Sequence, residues 1–163
     1  MGQPRSIVRA EDEGERRWFY GGGVHTWKAT AGETNGSLFV FEDALVRGKS
    51  TPLHRHEHDE VVYVIEGELL HYADGVSRRV ARGATIVTPR GVEHAFTVVS
   101  ETARLLALQT PGGGEAFYRA ASEALTAADG PVDFARIGAA AKATGTTEIL
   151  GPPPFARPES PPR

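Results

Sequence analysis

The chain has 163 residues, 40% hydrophobic and 24% charged, with a formal net charge of -3. That length builds one domain with a real core rather than two. The negative balance excludes a general nucleic-acid or membrane-surface binder, which needs a basic face.

Residues 1–17 are polar and charged and read as a loose N-terminal arm. From Trp18 the text is β-type, and a barrel domain is expected over residues 18–112. Val24–Thr30 and Leu38–Phe41 are strand-like and flank Asn35-Gly36, a strong hairpin signal. Val61–Ile65 is a short β-branched and aromatic run, too short and too β-rich for a helix. Leu69–Tyr72 and Val76–Val80 flank a second turn signal, Asp74-Gly75, and Thr85–Thr88, Ala95–Val99 and Arg104–Leu108 complete the set. Short strands with frequent turn signals predict an all-β sandwich or barrel.

After Pro111 and the glycines 112–114 the pattern becomes helical. Phe117, Ala121, Ala124, Leu125 and Ala128 fall at helical spacing, as do Phe134, Ile137 and Ala141, with Gly145 as a stop. One or two short helices over residues 113–150 are expected to pack outside the barrel. The tail 151–163 is Pro-rich and reads as irregular. No apolar run approaches the roughly 20 residues of a membrane span, and Met1–Glu13 lacks the apolar core of a secretory signal, so a cytoplasmic protein is expected.

The chemistry concentrates in one run. His54, His56 and His58 with Glu60 place three imidazoles and a carboxylate within seven residues, and His94 follows a turn at Pro89–Gly91. These donors suit one divalent transition metal ion (Fe, Mn, Co, Ni, Cu or Zn) better than Ca or Mg. With no cysteine in the chain, His and carboxylate groups must hold any metal, and no thiol nucleophile or disulfide is available. Side chains two apart on a strand share a face, so His54 and His56 can chelate one ion. Glu60 opens the next strand and His94 another. Three nitrogens and one carboxylate leave about two positions open on a six-coordinate ion, the mark of a ligand-exchanging site rather than a closed structural one.

The frame around these ligands resembles the cupin family. Gly48, His54, His56, Glu60 and Gly67 fit its first motif, and Gly83, Pro89, Gly91 and His94 fit its second; Val98 stands where that motif has Asn. The resemblance covers about Ser37 to Gln109. It implies a small jelly-roll β-barrel with the metal inside its mouth, held by His54, His56, Glu60 and His94, and a homodimer. The C-terminal text is similar to that of single-domain bacterial cupins resembling quercetin dioxygenases. That implies an oxygenase acting on an aromatic or enol(ate) small molecule chelated at the ion, with Glu60 as both ligand and proton acceptor. An isomerase, decarboxylase or lyase that needs no dioxygen, and a non-catalytic small-molecule binder, remain alternatives.

Neighbouring residues carry lesser expectations. His58 falls on a variable motif position and reads as a rim residue facing solvent or substrate, or as a spare ligand; Glu57 and Asp59 read as rim charges. Val62 and Val64 share parity with Glu60, and Phe96 with His94. With Phe39 or Phe41 they are expected to line a substrate pocket or to form barrel core. His25 and His71 have no motif context and read as structural. Gly48-Lys49-Ser50 ends like a phosphate-binding loop, but the earlier glycine is missing and a strand follows.

Overall fold

In the computed structural model, residues 3, 5–19, 23–124 and 133–155 are described. The alternation of apolar and polar residues becomes ten strands before the C-terminal segment. These are β1 (Glu15–Trp18), β2 (Gly23–Ala29), β3 (Phe39–Val46), β4 (Leu53–His56), β5 (Asp59–Glu66), β6 (Glu68–Ala73), β7 (Val76–Ala81), β8 (Thr85–Thr88), β9 (His94–Val98) and β10 (Thr102–Thr110). A 3-10 turn, Gly112–Gly114, leads into α1 (Glu115–Ala121), β11 (Glu123–Ala124), α2 (Phe134–Thr144) and β12 (Thr147–Gly151). The strands form two antiparallel sheets, ordered β11-β1-β2-β3-β10-β5-β8 and β12-β4-β9-β6-β7, which face each other as a jelly-roll sandwich.

The inner face of the larger sheet is laid out in rows by strand register. His25, Asp43, Leu105 and Val64 form one row; Trp27, Phe41, Ala107, Val62 and Ile86 form the next; Phe39, Gln109, Glu60 and Thr88 form a third. The middle row is apolar throughout and, with Leu69 and Val98 of the opposite sheet, makes the core. Each large side chain buried there contributes about 1.5–3 kcal/mol. The outer two rows carry the polar groups, one on each side of the apolar row.

Turns follow their residues. Asp74 (φ 53°) and Gly75 (φ 76°) are both left-handed and close a two-residue hairpin with Ala73 opposite Val76. Asn35 and Gly36 also lie at positive φ, but within a longer connection from Thr30 to Leu38. Gly67 (φ 83°) has no room for a side chain, because a Cβ there would lie 2.3 Å from the Thr102 carbonyl oxygen. In α2, Asp133 Oδ1 accepts from the Arg136 backbone N–H at 2.9 Å and Gly145 ends the helix in the left-handed conformation, where a stop was expected.

Three expectations need correction. The arm 1–17 is not loose along its length: Glu15–Trp18 pairs with β2, and Lys28 Nζ donates to the Ala10 and Glu13 carbonyls at 2.8 and 3.0 Å. Ala124, expected in a helix, pairs with Arg17 instead, while Leu125, Ala128 and residues 156–163 of the tail lie outside the described residues. The segment 113–150 also does more than pack outside. Its last strand, β12, joins the smaller sheet beside β4, with Ile149 opposite His54 and Thr147 opposite His56. A helical reading misses this because pairing between strands so far apart in the chain leaves no local periodicity.

Candidate metal centre

The smaller sheet supplies three imidazoles and the larger one a carboxylate. His54 and His56 lie on β4, and His94 opens β9 with its Cα opposite that of His54. Each ring is fixed by its own backbone: Nδ1 lies 2.8 Å from the Pro52 carbonyl in His54, 2.8 Å from that of His58 in His56, and 2.9 Å from that of Val92 in His94. A carbonyl accepts only from N–H, so it assigns a proton to Nδ1 and leaves Nε2 of the neutral ring with a free lone pair. The Nε2 atoms of His56 and His94 are buried with no hydrogen-bond partner.

Glu60 reaches the same place from β5, with Oε2 3.8 Å from His56 Nε2 and Oε1 3.8 Å from His94 Nε2. Gln109, its neighbour in the row, donates Nε2 to Glu60 Oε2 at 2.8 Å. Donor atoms of His54, His56 and His94 all lie within 4.8 Å of one another, and so do those of His56, His58 and Glu60. Burial alone would raise the Glu60 carboxyl, but His94, His56 and Gln109 together hold it well below the usual carboxylate range. Burial pushes His54 down to about 3, reinforced by His94, and also lowers His56. Burial opposes charge on His94 too, but the Glu60 carboxylate outweighs it and raises that imidazole. The structure thus assembles nearly dry, mostly neutral nitrogen donors beside an ionised carboxylate, and their unpartnered lone pairs fit a divalent transition metal.

His58 is not at the rim. It is 3% exposed and its ring stacks on His56 at 3.9 Å, with 9° between planes. The chain bends at Glu57 and His58 between β4 and β5, so strand parity does not extend to this residue. The turn at Gly114 packs over it, close to both His58 and Gln109. Burial, then the neighbouring His56, pushes the His58 imidazole down to about 4. Asp59 does stand at the surface, paired with Arg90 at 2.8 Å.

Three spaces adjoin the cluster. An inner cavity of about 50 Å³, mostly apolar, is lined by His54, Phe96, Tyr118, Thr147, His25 and Asp43. A solvent-open cleft of about 620 Å³ lies beside His56, between Arg55, Glu57, Arg90 and Glu148. A third, of about 250 Å³, touches His71, whose ring centroid is 6.4 Å from that of His94. Of the expected pocket residues, Phe96 borders the inner cavity. Phe39, Phe41, Val62 and Val64 belong to the buried core instead, because the register turns them into the sheet's packed rows.

Sequence reasoning missed Gln109, Tyr118 and the nearness of His71. Gln109 lies one residue beyond the expected end of its strand. Tyr118 sits on α1 among Phe19, Phe39, Phe41 and Phe117. His71 pairs in register with Phe96, two residues after His94, a signal visible only once the strands are paired.

Comparison with known proteins agrees with this architecture. Residues 42–109 match the Cupin domain. An uncharacterized protein of Streptomyces coelicolor is 34% identical over 79 residues, which cover 48% of this chain and 73% of that protein. Quercetin 2,3-dioxygenase of Bacillus subtilis is 26% identical over 113 residues, covering 69% of this chain and 33% of the enzyme, so this chain spans about a third of that relative's length. Among solved structures, a RmlC-like cupin from Shewanella frigidimarina superposes with a TM-score of 0.59 at 22% identity, covering 66% of this chain and 92% of that one.

Proposed function

The chain belongs to the cupin family, and on that premise we propose that it is a metal-dependent enzyme of dioxygenase type acting on a small aromatic or enol(ate) molecule. The observation that carries this reading is the convergence of lone pairs. His54, His56 and His94 are each oriented through Nδ1, and Glu60 faces two of them at 3.8 Å. These four residues would hold one divalent ion, and His58 is a further donor of the second group. When bound, the ion would supply Lewis acidity toward an enol or phenol oxygen and, for a redox-active metal, a path for electrons to dioxygen.

The residues supply the rest. Gln109 occupies Glu60 Oε2, so Oε1 is the oxygen that would meet the ion and, if the carboxylate shifts on it, would accept the proton of a substrate hydroxyl. Phe96 and Tyr118 exclude water on the inner side. The enolate left after that proton transfer is the electron donor, and both atoms of dioxygen would enter the products. The similarity to quercetin 2,3-dioxygenase supports this chemistry. The inner cavity restricts the substrate: about 50 Å³ takes roughly three or four waters, so a single ring enters only if the side chains around it shift, and a three-ring flavonol exceeds it. The open cleft beside His56 leaves a route for the second reactant.

The same narrowness favours a second reading for small non-aromatic substrates: an isomerase, decarboxylase or lyase in which the ion stabilises an enediolate without dioxygen. The test is oxygen uptake by the chain reconstituted in turn with Fe, Mn, Co, Ni, Cu and Zn, given single-ring enols and flavonols. Uptake with a single-ring enol is the expected result. No uptake with any metal removes the oxygenase, and turnover under strict anaerobiosis establishes the second reading.

The outer face of the larger sheet leaves Tyr63, Val87 and Leu106 exposed, which suits the homodimer that the family resemblance implies; a monomer in sedimentation would refute it. Among the described residues no helix is long and apolar enough to cross a membrane.

A further inference from the structure

The inner cavity has a second polar end, away from the metal ligands. Its wall carries His54 in one part and His25 with Asp43 in another, so one continuous space joins the two groups. His25 is 3% exposed and Asp43 7%. The imidazole lies between Phe19 and Phe41, with ring centroids 5.0 Å away on each side and interplanar angles of 21° and 8°. Its Nε2 is 2.9 Å from Asp43 Oδ1. The aromatic sandwich fixes the ring plane, and the carboxylate beside Nε2 fixes its edge.

This pair has hydrogen-bonding capacity left over. His25 Nδ1 is buried without a hydrogen-bond partner, while Nε2 and Asp43 Oδ1 stand 2.9 Å apart in a geometry that misses a hydrogen bond. Polar atoms in that state are rare in folded proteins and are unfavourable unless a water or ligand meets them. Lys49 lies on the same wall, 4% exposed, with Nζ 4.7 Å from the Phe19 ring centroid and donating to the Phe19 carbonyl at 2.9 Å. Its charge offsets that of Asp43, so this end is close to neutral while rich in acceptors. Such a surface disfavours an anion and favours a neutral group with a proton to donate. Tyr118, whose ring is 5.1 Å from His25, lines the space between the two ends.

We propose that the His25–Asp43 pair is a binding subsite for a hydroxyl group. The cavity then takes a small neutral molecule, at most one ring, with a metal-binding oxygen at one end and a hydroxyl at the other. As a statement about substrate it rests on the enzyme reading above; as a binding site it stands without the ion.

The test uses the full chain, as purified and after chelation, with phenol and benzene as probes. In the chelated protein phenol cannot coordinate an ion, so its advantage over benzene reports hydrogen bonding, and the His25 resonances and the variants locate that bond. Phenol is expected to bind at least about tenfold tighter than benzene. The imidazole nitrogen resonances of His25 should move with phenol and stay in place with benzene. In Asp43→Asn and in His25→Phe, which keeps a ring between Phe19 and Phe41, the two affinities should converge. Equal affinities in the unaltered protein overturn the proposal, as do unmoved His25 resonances at phenol saturation or no binding of either probe at millimolar concentration. The resonance measurement needs no variant, so a misfolded mutant cannot rescue the idea. Metal analysis of the same samples is separate: a chain that binds no metal but prefers phenol refutes the metal reading alone.

Discussion

Glu60 and His94 face each other across the sandwich, 3.8 Å from Oε1 to Nε2, one on β5 of the larger sheet and the other at the start of β9 in the smaller. Without an ion the pair is electrostatic, with Glu60 held ionised and His94 raised. With an ion the same two atoms become donors to one centre, and a proton carried by His94 must leave. Metal uptake is therefore expected to release protons near neutral pH. Titration of metal into weakly buffered protein with a pH indicator checks this, and uptake without proton release would contradict the assigned role of His94.

Removing a donor should remove the ion. His56→Ala and Glu60→Gln are each expected to weaken metal binding by more than about a hundredfold, beyond the 10–100-fold typical of outer-shell changes. Elemental analysis after dialysis against a mild chelator reads this directly. Retention of a full equivalent in either variant would sink the site assignment.

The ion-free protein should lose stability in acid, with a sign set by its imidazoles. His54 falls to about 3 and His58 to about 4, each through burial and then a neighbouring imidazole. Both lie below the free value of 6.5, so the unfolded chain takes up protons first as pH falls. Stability from these groups is complete above about pH 6.5 and is lost progressively toward pH 3–4, at about 1.4 kcal/mol per pH unit for each extra proton bound on unfolding. His54 borders the inner cavity, so its share is the smaller. His94, shifted upward, works in the opposite direction and is outnumbered. Denaturant midpoints of chelated protein from pH 4 to 8 test this, and a midpoint unchanged below pH 6 would refute it.

Much of this was legible from the residues because the relevant spacings are local. Thr85–Thr88 is a strand over the span expected, and Asp74-Gly75 closes its hairpin because both residues tolerate positive φ. The Gly and Pro frame around His54, His56, Glu60 and His94 marks turns that aim those side chains, and turn chemistry is written in single residues. His58 reads as a rim residue because its motif position is variable, and that position carries no sign of the turn at Gly114 that packs over it. Gln109 and Tyr118 were missed because their roles depend on register and on how α1 docks. β12 was missed because its partner β4 is about ninety positions away.

His58 separates positioning from ligation. Stacked on His56 at 3.9 Å, it holds that ring in place even if it donates nothing to the ion. His58→Phe keeps the stack and removes the nitrogen; His58→Ala removes both. If His58 only positions His56, the Phe variant keeps its metal affinity and the Ala variant loses about tenfold. A comparable loss in both variants would make His58 a ligand instead.

Gly114 ties the C-terminal segment to the site. A Cβ at this residue would lie 2.0 Å from Gln109 Oε1 and 2.8 Å from His58 Cε1. The backbone is at φ -63°, so a side chain is excluded by lack of space rather than by conformation. Gly114→Ala must therefore displace Gln109 or lift the turn, and either movement disturbs the 2.8 Å hydrogen bond that holds Glu60. The expected cost is about 1–3 kcal/mol of stability, as for other overpacked sites, together with weaker metal binding. The unaltered protein serves as the control. Thermal unfolding and metal titration read the two effects, and a Gly114→Ala protein as stable and as tightly metallated as the control would show that the turn does not support Glu60.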